Sequence, residues 1–350
     1  MCTASLKSKL IIWLFMGCFL VFGMVVVGGI TRLTGSGLSI TEWKVVTGTI
    51  PPLNESQWLS EFQKYQQIPQ YKELNSGFTL TDFKFIYFWE FIHRLIGRMI
   101  GVVFLIGFVY FWIKKVITKE LMPRLLFMFA LGGIQGFLGW YMVSSGLTEN
   151  VRVSHIRLAI HLTFAFITFG YIFWIALTQL FTTKISVDKG LSNYRKSAKG
   201  ILVLLTLQII YGAFVAGTKA GWTYNTWPKM GNEWVPESIS FAFAKDGLSS
   251  LINNLATVQF IHRCLAYLIA GIIVFLYWKT GKDDRLSLAQ KQGANILFIL
   301  VVIQVLLGIM TLLSSVPLWM GVTHQAVAFF LFASTIYFIH RLSYSNEINS

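Results

Sequence analysis

The stretch WEFIHRLIGR, residues 89–98, is repeated 169 residues later as VQFIHRCLAY, residues 258–267. Each copy places a histidine, followed at once by an arginine, inside an apolar segment: His93 in the first copy and His262 in the second. Ionisable side chains are costly inside a bilayer and mark functional sites there. The repeated stretch therefore predicts a membrane protein with two related halves, each carrying an intramembrane imidazole.

A second pair of histidines follows the same rule. His161 opens the segment HLTFAFITFGYIF, and His324 opens HQAVAFFLFASTIYF. For one such histidine an interhelical hydrogen bond is the ordinary explanation, but four in two matched pairs favour ligation of haem iron. His155 and His340 have no counterpart in the other half. We expect structural roles for these two, His155 in a short outer loop and His340 at the solvated inner membrane edge.

The composition places most of the chain in a bilayer. Of its 350 residues, 55% are hydrophobic and 13% are charged, whereas about a quarter of a soluble domain is charged. A spanning helix needs about 20 predominantly apolar residues, and eight segments meet this requirement. Their predicted limits are Leu10–Ile30, Lys84–Ile113, Leu121–Ser145, Ile156–Phe181, Gly200–Gly217, Leu255–Trp278, Ala294–Ser314 and Leu318–His340. The predicted fold class is an all-α polytopic membrane protein.

The distribution of lysine and arginine predicts the orientation of these helices. Basic residues concentrate at the ends and loops that face inside when the N-terminus is inside, so the positive-inside rule places both termini in the cytoplasm or matrix. The formal net charge of +14 is then a topology signal. Because the basic residues are spread over separate loops, no nucleic-acid partner is expected.

The two halves share a series of features in the same order, which indicates an internal repeat. GGITRLTGSGLSITEW, starting at Gly28, resembles GAFVAGTKAGWTYNTW, starting at Gly212, and Gln135 is matched by Gln304. We expect two four-helix bundles, residues 1–182 and 183–350, related by a pseudo-twofold axis along the membrane normal.

Within this repeat, the four histidines lie on helices that run inward from the outer face, and all lie nearer that face. Two ligands from each half can bracket one flat macrocycle. The expected pairs are His93 with His161 and His262 with His324.

The halves differ beside the first histidine. Glu90 lies three residues before His93 and so shares its helix face, whereas Gln259 takes that place before His262. A carboxylate beside a membrane-embedded cofactor can accept or relay protons. The alternative is a structural salt bridge between Glu90 and Arg94, one helical turn further along. The sequence favours the first half as the reaction site.

The first outer loop, from about Thr31 to Phe83, is long and aromatic, and its counterpart in the second half is shorter. Basic residues on the outer side are candidates to meet haem propionates. These candidates are Arg32, Arg152, Arg157 and Lys219.

Taken together, the motifs resemble haem A synthase of the proteobacterial and mitochondrial branch. The resemblance is carried by WEFIHRLIGR, by RVSHIRLAIHL at residues 152–162, by QFIHR at 259–263, by THQ at 323–325, and by GGITRLTGSGLSITEWKVVTGTIPP starting at Gly28. It extends from Gly28 to about Phe338. It implies an oxidoreductase that converts haem O to haem A, by oxidising a ring methyl group to a formyl group, for use in terminal oxidases.

The resemblance also implies a role for each matching residue. His93 and His161 would hold the substrate haem O, Glu90 would be the acidic residue needed for the reaction, and His262 and His324 would ligate a haem b cofactor. The methyl group would be oxidised to an alcohol and then to a hydrate that loses water. Relatives of the Bacillus type carry a cysteine pair in the first outer loop. This chain has none there, so a mechanism through that thiol pair is not expected.

The implied partners are the lipid bilayer, haem O with haem O synthase as a candidate donor, and an unidentified electron-transfer partner, while a homo-oligomer stays open. The nine residues before the first apolar segment are too short for a transit peptide, which favours a bacterial plasma membrane, with the mitochondrial inner membrane as the alternative. The residues alone leave two other functions open. One is a di-haem b-type electron carrier without catalysis, and the other is a transporter with a His/Glu proton path.

Overall fold

The computed structural model describes residues 4–43, 47–148, 151–184 and 189–345. The first three residues, which belong to the segment where no transit peptide was expected, lie outside this range. The α-helices of the described residues are α1 Ala4–Leu33, α2 Glu55–Tyr65, α3 Pro69–Leu74, α4 Leu80–Ile113, α5 Leu121–Thr148, α6 His155–Leu180, α7 Lys189–Thr218, α8 Glu237–Asp246, α9 Ser250–Asn253, α10 Leu255–Gly281, α11 Leu288–Leu313 and α12 Leu318–Arg341. Two antiparallel strands of two residues each, β1 (Thr183–Lys184) and β2 (Tyr344–Ser345), complete the described structure.

Eight helices are long and apolar enough to cross a membrane: α1, α4, α5, α6, α7, α10, α11 and α12. The predicted all-α membrane class and all eight predicted spans are confirmed. Most helices extend beyond the predicted limits, because a helix continues through polar residues until a capping group ends it. The helix α4 starts at Leu80, four residues before the predicted Lys84, because Thr79 and Asp82 form a capping box there.

The chain forms two compact units, Met1–Thr168 and Phe169–Ser350. The boundary between them falls within α6. The first unit contains His93 and His161, and the second contains His262 and His324.

In the first unit, α1 packs along α4. Trp13 of α1 donates its indole N–H to the carbonyl of Val103 at 3.1 Å, and its ring contacts Phe104 and Phe111. Position 107 must be glycine for this contact, because a Cβ there would overlap the Trp13 indole. Close approach at small residues is the usual way in which membrane helices associate.

The long first loop forms a compact aromatic layer over this unit. Its helix α2 is capped by Asn54, whose side chain accepts from the Gln57 amide at 3.0 Å. Tyr65 and Phe83 are fully buried in a cluster with Phe62. Because α2 and α3 bury these rings against α4, the loop is a fixed part of the unit and holds residues 38–42 beside the helix that carries His93.

In the second unit, α7, α10, α11 and α12 pack around aromatic contacts. Tyr277 of α10 stacks on Phe298 of α11 with ring centroids 4.3 Å apart. Gly293 of α11 faces the Phe338 ring of α12, where a Cβ would lie 3.1 Å from the ring. These contacts hold the two helices that bear His262 and His324.

The structure corrects the expected surroundings of the two unmatched histidines. His155 is the first residue of α6 rather than a loop residue. His340 is fully buried, not solvated: its ring stacks on Tyr344 of β2 with centroids 4.5 Å apart and meets Trp174 edge-on. Thr178 lies 3.3 Å from its Nε2. The short β1–β2 pairing brings Tyr344 over the ring, so the C-terminal end of α12 is enclosed by aromatic side chains.

Candidate functional site

The four matched histidines occupy equivalent places in their helices. Each lies in the N-terminal half of its helix: His93 in α4, His161 in α6, His262 in α10 and His324 in α12. All four are half-buried. By contrast, Glu90 is only 3% exposed.

Each histidine ring lies against a glycine of the spanning helix that precedes its own. A Cβ added at that glycine would come within 3.4 Å or less of the ring in every case. The separations are 3.2 Å for Gly28 and His93 Nε2, 3.2 Å for Gly139 and His161 Cε1, 3.4 Å for Gly212 and His262 Cε1, and 2.9 Å for Gly308 and His324 Cε1. A side chain larger than hydrogen at these positions would occupy the space that the imidazoles use.

Three of the four glycines follow a glutamine by four residues, so that both face the same histidine. The glutamine amide nitrogens lie near the histidine rings, at 3.3 Å from His161 Nδ1 for Gln135, 3.4 Å from His262 Nε2 for Gln208 and 3.3 Å from His324 Nε2 for Gln304. Gln135 and Gln208 also donate to the backbone carbonyls of their histidines, at 3.2 Å and 3.0 Å.

Each unit holds one of the histidine pairs expected from the sequence. His93 and His161 lie in the first unit, and His262 and His324 lie in the second. Each unit therefore offers two imidazoles, and their joint ligation of one haem stays a prediction.

The donor set of each unit fits a haem. A pair of imidazoles suits a metal whose other ligands come from a macrocycle. In the second unit, Nδ1 of both His262 and His324 is buried without a hydrogen-bond partner. A buried polar nitrogen is normally satisfied, and a bound haem would orient both rings and define which nitrogen carries the proton.

Glu90 is fixed by contacts on both carboxylate oxygens. Its Oε1 accepts from Arg94 at 2.6 Å. Its Oε2 accepts from the Ser39 hydroxyl at 2.7 Å and from the Ile40 amide at 2.9 Å. The salt bridge considered as the alternative for Glu90 is therefore present within α4, and the bonds from Ser39 and Ile40 tie α4 to the loop that follows α1.

In both units, the arginine that follows the first histidine of the pair donates hydrogen bonds to backbone carbonyls of a neighbouring loop. These arginines are Arg94 and Arg263. Arg94 donates to the carbonyls of Ile40 at 2.9 Å and Glu42 at 3.0 Å. In the second unit, the loop carbonyls of Tyr224 and Thr226 accept from Arg263.

Arg263 donates to the Tyr224 carbonyl at 3.0 Å and to the Thr226 carbonyl at 2.9 Å. Gln259, at the place of Glu90, donates its amide to the same Tyr224 carbonyl at 3.1 Å. The arginine-to-loop contacts are thus common to both units, whereas the carboxyl group of Glu90 is replaced by the Gln259 amide in the second unit.

A cavity of about 340 Å³ adjoins these contacts in the first unit. Arg94 and Arg98 line it together with Glu42 and Glu61. Lys64 bridges the two carboxylates, at 3.1 Å from Glu42 and 2.7 Å from Glu61, and its hydrogen bond to Glu61 raises the pKa of the Lys64 ammonium group. The cavity therefore combines both signs of charge beside the helix that bears His93.

One of the basic residues considered for haem propionates already has protein partners. Arg157 donates to the Tyr141 carbonyl at 2.8 Å and to the Ser144 hydroxyl at 3.1 Å, and its guanidinium lies 4.0 Å from the Tyr141 ring centroid. These contacts join α5 to the start of α6.

Reasoning from the sequence missed Gln208 and the role of the four glycines. The sequence does contain a pattern that predicts these positions, because Gln-x-x-x-Gly occurs in α5, α7 and α11. Comparing the two halves of the chain does not reveal this pattern, because the residue of α1 that is equivalent to Gln208 is Met24. The shared feature becomes visible only when each pair of consecutive spanning helices is compared with the other three pairs.

Comparison with known proteins shows the family to which this chain belongs. The model of the COX15-CtaA family, described as cytochrome oxidase assembly protein, matches residues 11–336. A protein named Heme A synthase from Flavobacterium psychrophilum is 52% identical over 340 residues, covering 96% of this chain and 99% of that relative. Proteins of the same name from Flavobacterium johnsoniae and Rhodospirillum centenum are 48% and 45% identical, covering 96% and 97% of this chain and 98% and 90% of the relatives. The chain therefore belongs to the COX15-CtaA family of cytochrome oxidase assembly proteins.

Proposed function

We propose that this protein is a haem A synthase, a membrane oxidoreductase that oxidises a methyl group of haem O to a formyl group to give haem A for terminal oxidases. Support comes from relatives of that name over nearly the whole chain. The observation that carries the proposal is the pair of similar imidazole sites, of which only the one in the first unit has a buried carboxylate beside it.

The proposal assigns the substrate to the first unit and the cofactor to the second. His93 and His161 hold the iron of haem O, and His262 and His324 hold that of haem b. The seating of all four rings against glycines supports this division into two sites of the same kind. When bound, haem b supplies one-electron transfer.

Glu90 is proposed as the group that manages protons beside the substrate. Oxidation of a methyl carbon releases protons together with electrons, and a carboxylate within a hydrogen-bond network can accept and pass them on. The Ser39 hydroxyl, which donates to Glu90 Oε2, is the first link toward the outer loop. Arg94 keeps the carboxylate in place and restrains the loop through the Ile40 carbonyl.

The environment follows from the helices. The eight apolar helices indicate a multi-pass protein whose partner is the lipid bilayer, and bacterial relatives support a plasma-membrane location. In this proposal both termini face the cytoplasm, haem O arrives from haem O synthase, and an electron-transfer partner collects the electrons.

The proposal is tested by expressing the protein with a source of haem O, purifying it, and separating the extracted haems by chromatography. The expected result is haem b together with haem O and haem A. Haem b alone, with haem O supplied, contradicts the proposal and favours an electron carrier. A pigment-free protein favours a transporter.

Two matched variants test which unit holds which haem. His161→Leu should remove haem O and haem A while haem b stays bound, and His324→Leu should remove haem b. Loss of the same haem in both variants contradicts the division of roles.

A further inference from the structure

The glutamines that face His161, His262 and His324 carry an unused hydrogen-bond acceptor. The Oε1 atoms of Gln135, Gln208 and Gln304 are all buried and have no partner in the described structure. A buried carbonyl oxygen without a partner has a free-energy cost of about 1–3 kcal/mol. Three such atoms at equivalent places indicate a shared function.

In the second unit, the missing donor lies on the residue next to each acceptor. His262 Nδ1 and His324 Nδ1 are buried without partners, while the amide nitrogens of Gln208 and Gln304 lie 3.4 Å and 3.3 Å from Nε2 of the same two rings. An imidazole whose Nε2 binds a metal carries its proton on Nδ1, and this N–H almost always donates to a neighbouring oxygen.

We propose that Gln135, Gln208 and Gln304 are positioning residues: when His161, His262 and His324 turn to present Nε2 to haem iron, the glutamine oxygens accept the Nδ1–H of these rings. This inference rests on the proposed haem ligation. The amide N–H groups of Gln135 and Gln208, which bond to the backbone carbonyls of the same histidines, hold the two amides in place. Each oxygen is then left for the ring.

His93 is the exception among the four. The position four residues before its glycine is Met24, and a thioether is only a weak acceptor. The Nε2 edge of His93 faces Gly28, whereas the other three rings turn their Cε1 edges toward their glycines. The first unit therefore has one anchored ligand, His161, and one ligand without an amide anchor, His93.

This asymmetry has a chemical consequence. A hydrogen bond from Nδ1–H makes an imidazole a more basic and firmer ligand. The haem of the second unit has two such ligands and is held as a permanent group. The haem of the first unit has one, so it is released more readily on the His93 side, as a substrate that must leave as product requires.

The test uses the intact protein and reads the bound haem rather than catalytic output. Gln208→Leu removes the acceptor, and Gln208→Glu replaces it with a stronger one. We expect Gln208→Leu to weaken haem b binding by about 10–100-fold and to raise its midpoint potential, and Gln208→Glu to lower that potential. Shifts in the same direction, or no shift in either folded variant, would overturn the proposal.

A gain-of-function variant tests the exception. Met24→Gln provides the fourth anchor, with Met24→Leu as the matched control. We expect Met24→Gln to slow the transfer of haem O from the first unit to apomyoglobin by about tenfold or more and Met24→Leu to leave the rate unchanged. Equal rates in the two variants overturn the assignment of His93 as the unanchored ligand. If the wild-type protein binds no haem at all, the proposed function itself fails, which separates the two results.

Discussion

Each glycine that lies against a histidine ring, namely Gly28, Gly139, Gly212 and Gly308, is called a glycine seat. Replacing Gly308 by alanine tests whether these seats position the haem ligands. The added Cβ would lie 2.9 Å from Cε1 of His324, whereas two carbon atoms in contact prefer about 3.5–4.0 Å. The ring must therefore move by roughly 0.6 Å, which exceeds the tolerance of about 0.5 Å within which a binding site must be held. Overpacking of this kind costs about 1–3 kcal/mol, and we expect haem b affinity to fall by about 5–150-fold.

The direction of the change in haem b affinity distinguishes a steric effect at the glycine seat from an effect on helix stability. Alanine is favoured over glycine inside a helix by about 1 kcal/mol, so a change in helix propensity alone would leave haem binding unchanged or improved. Gly271→Ala in α10 is the matched control, because nothing lies within 4 Å of a Cβ there. Gly212→Ala is the intermediate case, since its Cβ would make an ordinary contact at 3.4 Å.

The assay is the haem b content of each purified variant, followed by the rate at which haem b is lost to a scavenging apoprotein. The expected order of retention is Gly271→Ala first, then Gly212→Ala, then Gly308→Ala. If Gly308→Ala retains haem b as firmly as Gly271→Ala and shows the same absorption spectrum, the seat has no role in positioning His324, and the reasoning is refuted.

Three further predictions concern Glu90, the two haems, and Asp283 in the loop between α10 and α11, whose Oδ2 accepts from Arg285 at 2.7 Å. Glu90→Gln should lower haem A formation by at least about 100-fold and let haem O accumulate while haem b stays bound; normal output from this variant, with exposed Glu55→Gln as control, would remove Glu90 from the mechanism. Arg285 is the main cause of the lowered pKa of the Asp283 carboxyl group, so its stabilising contribution is complete above about pH 4 and is lost as the pH falls further. Asp283→Asn should therefore melt below the wild type at pH 7, and the two melting curves should converge in acid; a constant difference would contradict this. Removal of both haems should lower the melting temperature, because a ligand at 1,000 times its Kd stabilises the folded state by about 4 kcal/mol; identical melting of the apo and holo forms would exclude tight binding.

The fold could be predicted from the lengths of the apolar segments and from the expected directions of the helices. The eight spans and the two histidine pairs follow from local composition and from repetition, which a sequence displays directly. The limits of the helices depend on caps such as that of Thr79 and Asp82, so α4 begins earlier than its apolar run suggests. The resemblance to haem A synthase was confirmed by the family and the relatives.

Features that depend on contacts between distant residues were harder to predict. The burial of His340 depends on Tyr344 and on the β1–β2 pairing, which its apolar helix alone does not reveal. The Glu90–Arg94 ion pair was foreseen as an alternative, since both residues lie on one helix. Its ties to Ser39 and Ile40 were not, since they arise from the path of the outer loop. The roles of His93, His161, His262 and His324 in ligation remain predictions.

Each imidazole lies against a glycine of the spanning helix that precedes its own in the chain. The pairs, with the glycine helix first, are α1 and α4, α5 and α6, α7 and α10, and α11 and α12. The contacts that shape each ligand are thus confined to one pair of consecutive helices, and synthesis delivers such pairs from the N-terminus onward. The contacts between glycines and imidazoles can therefore form pair by pair as the chain is made. Under the proposed function, haem binding in the first unit would then need no helix that is made after α6.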